Sequence, residues 1–183
     1  MSIVIRPAVP ADVRGINRLV EPMTHTGILL GKDLVSYYEA VQEFLVAVED
    51  DGAVVGCGAL HVMWEDLAEV RTLAVGDDQR GSGLGHQMLV ALLERAVQLG
   101  LSRVFCLTFE VEFFSRHGFE VMADEVDPEV YNQLLRSPDE GIAEFLDLAR
   151  VKPNTLGNTR MLKALGTQDA AVGREDGVGG RTR

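Results

Sequence analysis

The run Gln79-Arg80-Gly81-Ser82-Gly83-Leu84-Gly85 constrains this chain more than any other feature. It lies between a strand-like segment containing Leu73-Ala74-Val75 and a strongly periodic stretch with Leu84, Met88, Leu92, Ala96 and Leu99 on one helical face. Gly100 ends that helix. Glycines at such a junction let backbone N–H groups approach a ligand closely. The helix start adds about half a positive charge, so strand, glycine turn and helix together form a phosphate site. A Walker loop is excluded, because His86 and Gln87 follow Gly85 where Lys and Ser or Thr are required. A dinucleotide fingerprint is excluded as well: the place of its third glycine is His86 counted from Gly81, or Met88 counted from Gly83. The remaining pattern is Arg/Gln-x-x-Gly-x-Gly/Ala, met by Arg80, Gly83 and Gly85.

Around this junction the pattern predicts strands first and then strand–helix–strand units. Strands are expected at Ser2–Arg6, Phe44–Glu49, Ala53–Met63, Ala68–Val75, Ser102–Thr108, Phe119–Met122 and Arg160–Leu165. Asp50-Asp51-Gly52 reads as a hairpin turn and Trp64-Glu65-Asp66 as another turn. Helices are expected at Asp12–Val20, after a cap at Asp33 (bearing Leu34, Tyr38 and Val41), from Leu84 to Leu99, and at Val111–His117. Met23–Lys32 reads as irregular, and Asp127–Leu148 as helical segments broken by Pro138 and Gly141. The fold class is therefore α+β, or mixed α/β, with helices on the faces of a sheet. With 183 residues the chain has room for one domain, placed at residues 1–165. Residues 166–183 are Gly-rich, hold almost no large apolar side chain, and read as a flexible tail.

The formal net charge is −11, which argues against a nucleic-acid or anionic-membrane surface. Aromatic residues are only 6%, which offers no platform for stacked bases. Cys57 and Cys106 each sit in an apolar run and read as buried thiols; no zinc ligand set or disulfide framework is present. The N-terminus does not read as a secretory signal, and no apolar stretch approaches the ~20 residues that span a bilayer. The cytoplasm is the expected compartment.

Further features accompany the glycine run. Leu73-Ala74-Val75 precedes it, and Phe113-Phe114-Ser115-Arg116-His117-Gly118-Phe119 follows a strand. Together these resemble the GNAT acyltransferases: a pyrophosphate loop, a fourth strand that lends backbone groups to pantetheine, and a Phe-Tyr-x-x-x-Gly-Phe helix end. The resemblance covers about residues 2–165 and implies a central, mostly antiparallel sheet flanked by helices, with acetyl-CoA as cosubstrate. Within the family, Ile16–Lys32 resembles the Ile-Glu-Pro…Gly-Ile-Leu-Val-Arg-Arg segment of bacterial N-acetylglutamate synthases. Asp51-Gly52, Val55–Leu60, Leu101–Thr108 and Thr159-Arg160-Met161-Leu162 fit the same group. The match is to a short form without the amino-acid-kinase domain many of those enzymes carry in front.

The resemblance implies transfer of acetyl from acetyl-CoA to the α-amine of L-glutamate, opening arginine biosynthesis. Glu69 stands where many GNATs place a general base, and the N–H of Leu73 where the oxyanion is met. Cofactor contacts fall to Leu73, Ala74, Val75, Arg80, Gly81, Ser82, Gly83, Leu84, Gly85 and Phe114. For the acceptor's carboxylates the candidates are Lys32, Arg71 and Arg160; Arg71 lies two residues past Glu69, so both share one strand face. His25 is a further candidate for lining the acceptor site. No metal is implied, and a homodimer is compatible with the resemblance.

Two departures from the family pattern matter. Phe114 replaces the Tyr general acid of the larger family, as it commonly does in the synthases, which leaves Ser115 or water for the departing thiolate. Leu107-Thr108-Phe109-Glu110 stands where the synthases show Leu-Thr-Thr-Arg, so a basic residue is missing and L-glutamine becomes an alternative acceptor. The rival readings are a GNAT for another small amine or a protein N-terminus, and a non-catalytic CoA-binding sensor.

Overall fold

The computed structural model describes residues 2–25, 29, 32–122, 128–139, 142, 146 and 158–166. Seven strands form one sheet in the order β1-β2-β3-β4-β5-β7-β6. They are β1 (Ile3–Pro7), β2 (Phe44–Glu49), β3 (Val54–Trp64), β4 (Leu67–Val75), β5 (Arg103–Thr108), β6 (Glu120–Val121) and β7 (Thr159–Ala164). The helices are α1 (Val13–His25), α2 (Leu34–Glu39), α3 (Leu84–Gln98), α4 (Val111–Arg116) and α5 (Pro128–Leu134). Neighbouring strands run antiparallel except β4 and β5, which are parallel. This is the mixed sheet with flanking helices that the sequence implies.

The β4–β5 junction shapes the molecule. The two strands pair only at Leu67–Arg103, Ala68–Val104 and Glu69–Phe105. Before these pairs, the Asp66 carbonyl accepts the N–H groups of Ser102 and Arg103 at 3.0 and 2.9 Å. The Asp66 carboxylate takes both arms of the Arg103 guanidinium at 2.9 and 3.1 Å. The wedge is thus clamped at one end. Past Glu69 the strands no longer pair, and the edge of β4 opens toward β5.

A β-bulge reinforces the opening. Cys57 pairs with Ala74 but Ala59 pairs with Arg71, so Gly58 alone faces Thr72 and Leu73. Thr72 takes up the extra residue with φ +57, a left-handed conformation uncommon outside glycine. Gly58 is needed opposite it, because a Cβ there would lie 2.7 Å from Leu92 Cδ1.

Each face of the sheet is covered by apolar packing. On one face Leu84, Met88, Leu89, Leu92 and Ala96 of α3 meet Leu60, Ala68, Val70, Val104 and Cys106. Leu99 falls outside this stripe: it is 55% exposed at the helix end, because Gly100 at φ +80 turns the chain away. On the other face α1 and α2 cover β2 and β3 through Val13, Ile16, Val20 and Tyr37. A separate cluster of Met63, Leu67, Phe105, Leu134, Ile142 and Leu146 covers β4 and β5 on that same face. Between these two clusters Glu69 and Arg71 emerge from β4.

Several local readings need correction. α1 continues through Pro22 to His25, so Met23 is helical, not irregular. The proline costs about 3 kcal/mol in a helix interior, but the buried face outweighs it, with Met23 packed against the Val13–Ile16–Val20 cluster. In α2 the buried ring is Tyr37, at 2% exposure, whereas Tyr38 faces out at 39%. Asp33 sits at the N-cap position with extended backbone, but its side chain makes no capping hydrogen bond. The strand expected at Phe119–Met122 contracts to Glu120–Val121. The helical segments expected past Leu134 fall mostly outside the described residues, as does the tail beyond Gly166.

Candidate active site

A cavity of about 600 Å³ runs along the open edge of the wedge. One wall is β4 from Val70 to Val75; the other is Leu107, Thr108, Phe109 and Glu110 with Phe113 and Phe114 of α4. Its end is the glycine turn, through Gln79, Arg80, Gly81, Gly83, Gly85 and His86. Gly81 and Gly83 have φ +79 and +88, and a Cβ on either would meet nothing within 4 Å. These glycines are therefore demanded by backbone conformation and not by crowding from the protein. The open space beside them, at the start of a 15-residue helix, fits a pyrophosphate.

The cofactor residues expected from sequence divide in two. Leu73, Ala74, Val75, Arg80, Gly81, Gly83, Gly85 and Phe114 line the cavity. Ser82 and Leu84 do not. Ser82 turns its hydroxyl back to the Gln79 carbonyl at 2.7 Å and accepts the Leu84 N–H at 3.2 Å. Leu84 is 2% exposed, and its side chain anchors the helix in the core. Arg80 reaches Asp77 at 3.0 Å. Ser115 is exposed and is not on the wall, so the structure does not favour it as a proton donor to the thiolate. His86 is exposed, and its Nδ1 lies 2.7 Å from Nε2 of His117, a contact that no local pattern signals.

The other side of β4 carries the charges. Glu69 is 4% exposed, and its Oε2 has no hydrogen-bond partner. Burial pushes its carboxyl up to about 7, opposed by the Arg71 guanidinium. Arg71 Nη1 lies 3.7 Å from that oxygen. Arg71 itself is held from two sides, donating to Asp139 Oδ2 and to Glu43 Oε2, each at 3.0 Å. Glu43 Oε1 lies 2.8 Å from Nδ1 of His61, and Asp139 Oδ2 lies 3.6 Å from His61 Nε2. His61 pairs directly with Glu69 across the β3–β4 ladder. Glu43, His61, Arg71 and Asp139 thus close a ring in front of Glu69.

Of the acceptor-site candidates, Lys32 and Arg71 come together and Arg160 lies further along the sheet. Lys32 is partly buried and feels the charges of Arg71, Glu69, Asp139 and Glu43; burial first, then Arg71, lowers its ammonium pKa. Arg160 is opposite Leu107 on β7, and so shares the Phe105–Leu107 face by register. His25 ends α1 and is exposed. Arg71 reaches the cavity wall; Glu69, Lys32 and Arg160 do not. The sequence reading missed Glu43, His61 and Asp139. No local pattern links positions 43, 61 and 139; only the strand register and the segment after α5 do.

Comparison with known proteins agrees with this fold. The family model described as "Acetyltransferase (GNAT) family" matches residues 20–119. An amino-acid acetyltransferase of Mycobacterium tuberculosis is 55% identical over 166 residues, which are 88% of this chain and 94% of that protein. An amino-acid acetyltransferase of Aeromonas salmonicida is 32% identical over 72% of this chain, but this chain spans only 31% of its length. Among solved structures, Rv2747 of M. tuberculosis in complex with CoA and NLQ superposes with a TM-score of 0.83 at 54% identity, over 88% of this chain and 99% of that one. N-acetylglutamate synthase of Neisseria gonorrhoeae, with coenzyme A and N-acetyl-glutamate, shares the fold with a TM-score of 0.72 at 24% identity, over 91% of this chain and 36% of that one. With its glycine loop at the mouth of a splayed β4–β5 wedge, the chain belongs to the GNAT family of acetyltransferases.

Proposed function

We propose that this chain moves the acetyl group of acetyl-CoA to the α-amine of an amino acid, L-glutamate or L-glutamine, as the first step of arginine biosynthesis. The observation that carries the reading is one continuous cavity from the glycine turn along Val75–Val70 to Arg71, with the Glu69 carboxylate 3.7 Å behind that guanidinium. In this reading the pyrophosphate site and the buried base are joined by seven of the nine residues of β4, Glu69–Val75. The amino-acid acetyltransferase at 55% identity over most of both chains supports the same assignment.

In this mechanism the pyrophosphate rests on the N–H groups of the turn, and the pantetheine lies along the open edge of β4. Glu69 takes a proton from the acceptor ammonium. Its pKa near 7 suits that task, since a base works best when its pKa is close to the working pH. The freed amine attacks the thioester carbonyl, whose oxygen is met by the N–H of Leu73 beside the bulge. Cation chemistry for the acceptor's carboxylate falls to Lys32 and Arg71, with Arg160 at the outer side. Glu43 and Asp139 already compensate Arg71, so an incoming carboxylate competes with them for the guanidinium. The working place of such a protein is the cytoplasm; among the described residues no helix is long and apolar enough to cross a membrane.

A thiol-release assay with acetyl-CoA and each amino acid in turn tests the reading. Release with glutamate or glutamine, and little with polyamines or peptides, is expected. Tight CoA binding with no release for any amine would instead make the chain a cofactor-binding sensor.

A further inference from the structure

Two histidines at the mouth of the cavity take no part in the acetyl transfer set out above. His86 follows the last glycine of the turn and lines the cavity. His117 stands at the C-cap of α4. His86 Nδ1 lies 2.7 Å from His117 Nε2, and the two ring centres are 4.9 Å apart. His117 Nδ1 lies 2.8 Å from the Phe113 carbonyl oxygen, and its ring centre stands 4.8 Å from that of Phe113. Phe113 is itself on the cavity wall. The series Phe113, His117, His86 thus ties α4 to the start of α3 beside the glycine turn.

These contacts assign the protons. A carbonyl oxygen only accepts, so His117 Nδ1 carries a hydrogen. In a neutral His117 the Nε2 atom is then an acceptor, and His86 Nδ1 donates to it. That uses the one N–H of a neutral His86. Its Nε2 is left a bare acceptor, with no hydrogen bond to any of the described residues. A phosphate oxygen is an acceptor too, so the two cannot bond. His86 can donate to a phosphate only after gaining a second proton, and imidazole is the side chain that takes one up in the neutral range. The charges around the pair come from three elements. Arg80 on the turn is matched by Asp77 at 3.0 Å, and Arg116 on α4 by Glu112 at 3.3 Å, all four of them exposed. Lys163 on β7 brings its Nζ to 3.1 Å from the place of a Cβ on Gly118. Arg80, His86 and Arg116 all line the cavity, whereas Glu110 is the one carboxylate among its lining residues. An incoming dianion therefore meets a cluster of donors here, in a chain whose net charge is −11.

We propose that His86 and His117 form a proton-loaded clamp for the phosphate monoester on the ribose of the cofactor, so that binding adds one proton to His86. The inference rests on the acetyl-CoA reading above and extends it to a second phosphate subsite. The diphosphate falls to the N–H groups of the glycine turn; His86 stands one residue past that turn, on the side of α4. A monoester carries about −1.5 to −2 charges near pH 7, more than either phosphate of a diphosphate bridge, and gains most from a full cation opposite it. His117 is a positioning residue: it holds the His86 hydrogen on Nδ1 and thereby makes the second proton necessary.

The test is calorimetric titration of CoA and of dephospho-CoA, which lacks only the monoester, into wild type, His86→Gln and His117→Phe. It is run from pH 6.5 to 8.5 in phosphate-free buffers of different ionisation heat, which counts the protons taken up. Wild type is expected to bind CoA roughly 10-fold or more tighter than dephospho-CoA at pH 6.5. That advantage should shrink as pH rises, by at most about 10-fold per unit for one proton, with proton uptake seen for CoA only. In His86→Gln the advantage, its pH slope and the uptake should all be lost. His117→Phe keeps a ring against Phe113 but leaves a neutral His86 free to move its hydrogen to Nε2. Part of the CoA advantage should then survive to pH 8.5 while the uptake falls, a pattern that a merely structural link between α3 and α4 would not give; this variant carries the test if His86→Gln does not fold. A pH slope that both ligands share in wild type places the clamp on the diphosphate and overturns the monoester assignment. A CoA affinity that is independent of pH, or unchanged in His86→Gln, overturns the clamp altogether. A wild-type protein that binds neither ligand removes the cofactor reading beneath it.

Discussion

The two ends of the cavity are built from different materials. The glycine turn is made of backbone: Gly81 and Gly83 at positive φ, exposed, with no side chain crowding the place a ligand would take. The Glu69 end is made of side chains: five charged or titratable groups from β3, β4 and two distant segments, packed into contact. The turn is a local solution and presents N–H groups whatever the rest of the chain does. The ring is a global solution and exists only when the whole sheet is in register. Cofactor binding and acceptor chemistry should therefore fail separately.

The largest separation is expected from Gly83→Asp. It places a residue that resists φ +88 at the helix start and a carboxylate in the proposed phosphate site. Acetyl-CoA binding should fall below detection by calorimetry, while the fold survives with a melting temperature lowered by several degrees: the added Cβ meets no protein atom, but a non-glycine residue at φ +88 is strained. Unchanged affinity would remove the phosphate site from this turn.

Glu69→Gln should do the reverse. The expected loss in kcat is roughly 10²–10⁴-fold at unchanged acetyl-CoA affinity. Stability should move too, with a defined sign. The folded-state pKa of Glu69 is raised from 4.5 to about 7, so the stability it contributes is fully present below 4.5 and is lost as pH rises through 7. The Gln variant lacks that loss. Its melting temperature should match wild type near pH 4.5 and exceed it at pH 8, by an amount on the order of 3 kcal/mol in free energy. Parallel melting curves from pH 4.5 to 8 would show that the carboxyl does not titrate in that window.

Arg71→Ala comes next. Losing a charge-assisted hydrogen bond costs roughly 1.5–3 kcal/mol, or about 10–150-fold in kcat/KM for the amino acid, with acetyl-CoA spared. Arg71→Lys should recover only part, because a point charge cannot bridge Glu43 and Asp139 as the planar guanidinium does. Equal losses for glutamate and glutamine would assign Arg71 to the α-carboxylate; a larger loss for glutamate would assign it to the side chain. Wild-type kinetics on both would leave Lys32 and Arg160 to hold the acceptor.

The smallest effect is expected from Asp66→Ala at the closed end of the wedge. Its pair with Arg103 is over a third exposed on both sides, so solvent screens it and the loss should stay below about 1 kcal/mol. The backbone clamp through the Asp66 carbonyl remains. Kinetics should not change. A large activity loss would mean that the angle of the wedge, and not only its opening, is set there.

The contrast between the two ends also explains what the sequence could tell. The glycine turn, α3 and the seven strands follow from signals a few residues long, such as positive-φ glycines, a helical stripe and apolar runs. Glu69 was legible only through the resemblance to the family's base-bearing strand, and Arg71 because period two puts it on the same face as Glu69. Their ring partners were not. Glu43 ends the short turn Val41–Glu43, His61 lies within an apolar strand, and Asp139 follows a proline; each becomes meaningful only through pairing of β3 with β4 and the approach of the segment after α5. The bulge was hidden for a related reason. Val70 and Leu73 both pack toward α3, although strict alternation would set them on opposite faces. The extra residue at Thr72 reverses the parity, and a period-two reading passes over it.

The short β4–β5 pairing bears on how this sheet comes apart. Three residue pairs join a four-strand half, β1 to β4, to a three-strand half, β5 to β7. Most sheets leave unpaired backbone at their outer rims; here part of it lies in the middle. A molecule seated along β4 would act as a partial strand and knit the halves together. The amides of Arg71–Val75 should exchange with solvent fastest of any central strand in the free protein and slow sharply once acetyl-CoA is added. Without it, the two halves should unfold with less mutual dependence, so ligand would raise both the temperature and the cooperativity of melting.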